Sequence, residues 1–184
     1  MKKILLFILF ITFTQSANAT TYYCSDSNWD KLGTLFSKTV KSYNQLLQEI
    51  DEYEIKTNPS ALIHNRYTLE KYSAMWNMNN DVDRKSVEGF ITNTKKQIDR
   101  IDELNNKLQA IKKNGRNLEY NWEKLAGYCD DEGKYDDYKS ATKNYESASK
   151  NLRIFKEKIK NLRETKANYN TELEFFMKTK ELSK

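Results

Sequence analysis

The chain has 184 residues, carries 31 Lys and Arg against 26 Asp and Glu, and holds one histidine, two cysteines, one proline and five glycines. That length fits a single domain, and the near-balance of charge, with basic residues spread along the chain, gives no footprint for nucleic-acid binding. One histidine and no surplus thiol leave nothing from which to assemble a histidine- or cysteine-rich metal site.

Residues 1–19, MKKILLFILFITFTQSANA, have the three parts of a secretory signal peptide: cationic Lys2 and Lys3, an apolar run from Ile4 to Phe13, and small Ala17 and Ala19 around Asn18. Cleavage there would start the mature chain at Thr20 and lower its net charge to about +3. The apolar run is about half the roughly 20 residues needed to cross a bilayer. No small-residue box precedes Cys24, so a lipid anchor is not expected. The expected location is the periplasm or the exterior, with no stable membrane insertion after cleavage. In such an oxidising compartment Cys24 and Cys129, the only two thiols, are expected to pair. Closing that loop of about 106 residues is worth roughly 4 to 5 kcal/mol in the chain-entropy model.

Beyond the leader the chain reads as almost entirely helical. Trp29, Phe36, Tyr43 and Ile50 recur every seven residues, with Leu32, Leu46 and Tyr53 three positions on and Val40 and Leu47 beside them. The spacing predicts a helix over 28–56, opened by Ser27 with Asp30 and stopped by Asn58 before Pro59. A second helix, 59–78, follows from Leu62, Leu69 and Trp76, with Ile63, Tyr67, Ala74 and Met75 alongside. The polar run Asn77 to Asp81 reads as a turn, and Asp83 or Ser86 as the next cap.

The third predicted helix, 83–127, keeps one register through Val87, Ile101, Leu108 and Trp122, with Phe90, Leu104, Ile111, Leu118 and Leu125 three positions later. Thr94 and Gly115 fill gaps in the first series. An interior glycine costs about 1 kcal/mol relative to alanine, but the register is the same on both sides of Gly115, which favours a continuous or gently bent helix.

The fourth helix, 133–181, has the strongest pattern: Tyr138, Tyr145, Leu152, Ile159 and Leu173 in one heptad position, and Ala141, Ala148, Phe155, Leu162, Tyr169 and Phe176 in the other. Lys166 is its one polar break. Repeats of seven kept this long favour coiled-coil-like packing. The two last helices would each be roughly 65 Å long.

The cysteines test how these rods stack. Cys24 precedes the first helix and Cys129 lies in the turn between the third and fourth, so those two points must meet. A four-helix up-and-down bundle puts them at opposite poles. If residues 28–78 instead form one rod of about 75 Å, broken at Pro59, its length matches the other two. The predicted fold is therefore all-α: an elongated antiparallel three-helix bundle with one disulfide at one pole.

Motifs for chemistry are sparse. The chain contains no P-loop, serine nucleophile elbow or HExxH, so no catalytic residue, metal or cofactor is assigned and a non-enzymatic role is expected. His64, between Ile63 and Asn65, reads as a boundary residue. The acids Asp130, Asp131, Glu132, Asp136 and Asp137 lack EF-hand spacing, and those in the first turn of the fourth helix are explained by its dipole and by capping. Lys112, Lys113 and Arg116, the densest basic cluster, read as a solvated helix face.

What remains is surface for partners. Twelve tyrosines are present, and those outside the main seams are candidate protein-binding anchors. They are Tyr22, Tyr23, Tyr72, Tyr120, Tyr128 and Tyr135, with Trp76 and Met78 at the far pole. The expected function is a structural or protein-binding accessory component of the cell envelope or a secretion apparatus, with other envelope or secreted proteins as partners. Long seams close within one chain or between copies, so an oligomer is compatible with the pattern.

In layout the chain resembles minor pilus-tip subunits of type IV secretion and conjugation systems, which are exported and built on long helical bundles. That resemblance is one of architecture and implies a place in such an apparatus. The alternatives are a periplasmic holdase-type chaperone, although the strand body of the jellyfish-shaped trimeric chaperones is missing, and an inhibitor or small helical toxin.

Overall fold

A computed structural model describes residues 23–56 and 61–183. The expected signal peptide, the start at Thr20, Tyr22 and the break at Asn58 and Pro59 lie outside the described residues. Within them run four helices, α1 (Asp26–Lys56), α2 (Leu69–Ser73), α3 (Asp81–Asp131) and α4 (Tyr135–Leu182), with a 3-10 turn at Ile63–Asn65 and no strand.

α3 and α4 form a long antiparallel hairpin, 51 and 48 residues in length, or about 75 Å each. Their seam is the one read from the heptads. Val87, Ile101, Leu104, Leu108, Leu118, Trp122 and Leu125 of α3 are buried, as are Leu152, Phe155, Ile159, Leu162, Tyr169 and Phe176 of α4. Phe90, expected in the seam, is 40% exposed. Lys166, the polar break, answers a polar position on α3: its Nζ donates to both carboxylate oxygens of Asp102 at 2.6 and 2.7 Å.

α3 is unbroken at Gly115. A Cβ there would stand 3.1 Å from Leu152 Cδ2 and 3.4 Å from Phe155 Cε2. The glycine therefore lets α4 approach closely, and that packing offsets its poor helix propensity.

α1 lies antiparallel to α3 and parallel to α4. Trp29 meets Trp122 at 5.3 Å between ring centroids, Tyr43 meets the edge of Phe155 at 4.7 Å, and Glu49 reaches Arg100 and Lys107. Residues 61–80 continue in the same direction along α4. His64 pairs with Glu172, Tyr72 packs on Phe175 and Phe176, and the Met78 N–H donates to the Ser183 carbonyl at 2.9 Å. The broken first rod thus spans the length of the hairpin.

That second half is not the helix expected over 59–78. Its described part, from residue 61, is a strap: the 3-10 turn, an extended stretch, the five-residue α2 and further turns. Leu62 is extended at φ −61°, ψ 140°, and Thr68, also extended, caps α2 by accepting from the Lys71 N–H. Partners on α4 take up backbone groups that an uninterrupted helix would use internally. The other boundaries move by a few residues: α3 runs past 127 to Asp131, so Cys129, expected in the turn, lies on the helix. α1 begins ahead of Ser27, and α3 is capped by Asn80, whose side chain accepts from the Val82 N–H at 2.8 Å, rather than by Asp83 or Ser86.

Candidate functional site

The pole where α3 turns into α4 carries the disulfide and most of the exposed tyrosines. Gly133, at φ 69°, occupies the left-handed region in the turn 132–134, where a side chain would be strained. The Gly133 N–H donates to the Asp130 carbonyl and the Lys134 N–H to that of Cys129. This tight reversal places Cys129 beside Cys24, and the two are bonded, with Cα atoms 4.9 Å apart.

The turn also holds the backbone of Cys24. Its N–H donates to Glu132 Oε1 at 3.0 Å, and its carbonyl accepts from Lys134 Nζ at 2.6 Å. Lys134 pairs with Glu132 at 3.0 Å. Lys134, and then the Cys24 N–H, hold the Glu132 carboxyl below its ordinary pKa. Beneath them Leu32, Trp122, Leu125, Ala126 and Ala141 form a buried cluster with both cysteines. A covalent link, two charged clasps and a small core fix this end.

On that frame Tyr23, Tyr120, Tyr128 and Tyr135 are 59, 54, 37 and 61% exposed. Tyr120 and Tyr128 sit two turns apart on one face of α3. With Glu123, Lys124, Gly127 and Asp131 they line an open groove of about 350 Å³. Lys124 Nζ lies 5.6 Å from the centre of the Tyr120 ring. Tyr135, in the first turn of α4, stacks on Tyr138 with centroids 6.3 Å apart, and Lys139 Nζ lies 4.3 Å from the centre of its ring. These are rigid amphipathic side chains on ordered helix, the kind of surface that contributes heavily to protein interfaces.

The other three sequence candidates lie at the opposite pole, and two of them are not surface residues. Tyr72 and Met78 are 4 and 6% exposed. Tyr72 is the hub of an aromatic cluster with Trp76, Phe175 and Phe176 at centroid distances of 5.7, 5.3 and 6.0 Å. Burial raises its phenol pKa. Trp76, half-buried, packs edge-on against Phe90 at 5.9 Å. These residues close the strap over α4, while Tyr67, Met75 and Phe90 beside them stay 40, 59 and 40% exposed.

Glu172 escaped the sequence reading. It is 3% exposed and satisfied on both oxygens: Oε1 accepts from the Ile63 N–H at 2.8 Å, and Oε2 accepts from the His64 N–H at 2.9 Å and meets His64 Nδ1 at 2.6 Å. Two backbone donors and an imidazole compensate its burial. His64, expected at a boundary, is a structural ligand of this carboxylate.

Among the described residues, no group of three His, Cys, Asp or Glu side chains is placed to hold a metal, and no helix is long and apolar enough to cross a membrane. Comparison with protein families, characterised proteins and solved structures returns no match.

Proposed function

We propose that this chain is an exported, non-enzymatic helical protein that binds another protein through its disulfide-capped pole, as a structural or accessory component of the cell envelope or a secretion apparatus. The observation that carries this reading is the exposure of Tyr120, Tyr128 and Tyr135 on a pole held rigid by Cys24–Cys129. Preformed aromatic surface binds at low entropic cost, because little is left to order on association. The leader-like residues 1–19 and the disulfide support export to an oxidising compartment.

The test is site-specific photo-crosslinking in envelope preparations, with the photoreactive residue at position 120 or 135 and, as a control, at Lys41 on α1. Crosslinks to one defined protein from the pole alone, abolished by Tyr128→Ala, are expected. Equal crosslinking from position 41, or none from the pole, would overturn the assignment. N-terminal sequencing of the exported protein should begin at Thr20.

A further inference from the structure

A second surface, made by α3 and α4 alone, has a different chemistry. Arg116, Glu119, Ser149, Leu152, Arg153 and Lys156 line an open groove of about 310 Å³ to which α1 contributes no residue. Lys112, one turn before Arg116, stands close enough to Arg116, Lys156 and Arg163 to feel their charge. Partial burial, and then those three cations, push its ammonium below the ordinary value.

Five cations therefore gather on one side of the hairpin, from two stretches of chain about 40 residues apart in sequence. Among the described residues none of them meets a carboxylate at ion-pair distance. The one carboxylate lining the groove, Glu119, accepts a hydrogen bond from Ser149.

The side covered by α1 handles its cations differently. Lys107 meets Glu49 at 3.0 Å, and Lys158 meets Asp51 and Glu54 at 3.0 and 2.9 Å. There α1 supplies the counter-charge along with an apolar stripe. The open groove has one carboxylate, Glu119, bonded to Ser149, and no apolar stripe: Leu152, its one apolar lining residue, is 5% exposed. A partner helix would find no anchor there, so recognition must come from charge. Three of the five cations are arginines, whose planar forks suit the paired oxygens of a phosphate. Like-charge crowding costs stability that a bound anion returns.

We propose that this groove binds the phosphate groups of an extended polyanion, of which inorganic polyphosphate is the simplest form. This site is separate from the tyrosine-bearing pole and stands or falls independently of it.

The experiment measures binding of fluorescent polyphosphate to the purified, disulfide-intact chain over a range of salt. Three groove cations are removed together in one variant, R116Q/R153Q/K156Q. A second variant of equal charge loss, K31Q/K38Q/K41Q, changes exposed lysines of α1. The groove variant should bind at least about tenfold more weakly, and its slope of log affinity against log salt should fall by about 2, while the α1 variant stays near the parent. Polyphosphate should raise the melting temperature of the parent and of the α1 variant but not of the groove variant. Equal loss in both variants, or no binding by the parent, would overturn the site. Polyglutamate of matched length binding as tightly would overturn the phosphate assignment, as would a single-stranded oligonucleotide or anionic vesicles binding more tightly.

Discussion

At one end of the bundle a disulfide, the Glu132 and Lys134 clasps and a small apolar cluster hold α1 to the α3–α4 turn. At the other, the strap 61–80 is held to α4 without a covalent bond, by the Glu172 hydrogen bonds, the Tyr72 aromatic cluster and contacts to Ser183. The covalent end buries Trp122 but keeps Tyr23, Tyr120, Tyr128 and Tyr135 exposed, whereas the non-covalent end draws Tyr72 and Phe176 into its core. A cross-link constrains geometry without using side-chain surface, so it leaves aromatic area free for other contacts.

The largest expected effect follows from removing the link. The double variant C24S/C129S should lose up to roughly 4 to 5 kcal/mol in urea unfolding. Hydrogen exchange should rise first around Trp29 and Leu125 and later around Tyr72. Uniform acceleration along the rod would erase the distinction between the ends.

Next comes the hub of the far end. Tyr72→Ala should cost about 3 to 5 kcal/mol by opening a cavity among Trp76, Phe175 and Phe176. It should release the strap while the disulfide pole keeps its near-UV signal. A loss below 1 kcal/mol would mean that the strap is not held by this cluster.

Glu172→Gln should have a smaller effect, about 1 to 3 kcal/mol, because one acceptor oxygen and the charge facing His64 are lost while the shape is kept. Protection of the Ile63 and His64 amides reports it directly.

The smallest effect is in pH. Glu132 at the disulfide end and Glu88 at the far end are both held below their ordinary pKa, chiefly by Lys134 and Lys180 respectively. A depressed carboxylate contributes stability that is present above its unfolded pKa, about 4.3, and is lost as pH falls through the lower folded value. Both ends should therefore weaken together in acid. E132Q and E88Q should each flatten the melting temperature below about pH 4; a change confined to one variant would reveal a further difference between the ends.

Seams and pairing were legible in the sequence because heptads repeated over α3 and α4 leave one face to bury, and the cysteines then chose the stacking. The strap was not. Leu62, Leu69 and Trp76 keep helical spacing, but contacts with α4, more than 100 residues on, override that preference. Glu172 was hidden for a similar reason: its compensating donors come from residues 63 and 64, and nothing near position 172 announces them. Around the basic groove Lys112 and Arg116 were visible as a cluster, but Arg153, Lys156 and Arg163 come near them only when α4 folds back. At the tyrosine pole, Tyr120, Tyr128 and Tyr135 stand off the heptad positions and are exposed, whereas Tyr72 and Met78, also off them, are buried where the strap packs on α4.

The tight turn at Gly133 also sets an order of events. Ends of α3 and α4 that flank three residues can meet with little loss of chain entropy, whereas α1 must close a loop of more than a hundred. The hairpin is therefore expected to zip from the turn outward before α1 docks, as low contact order favours. Cys129 would then wait on a formed hairpin until Cys24 arrives, making oxidation a late step that traps an assembled rod. A refolding time course quenched by thiol alkylation should show most of the helical signal regained while both cysteines are still free.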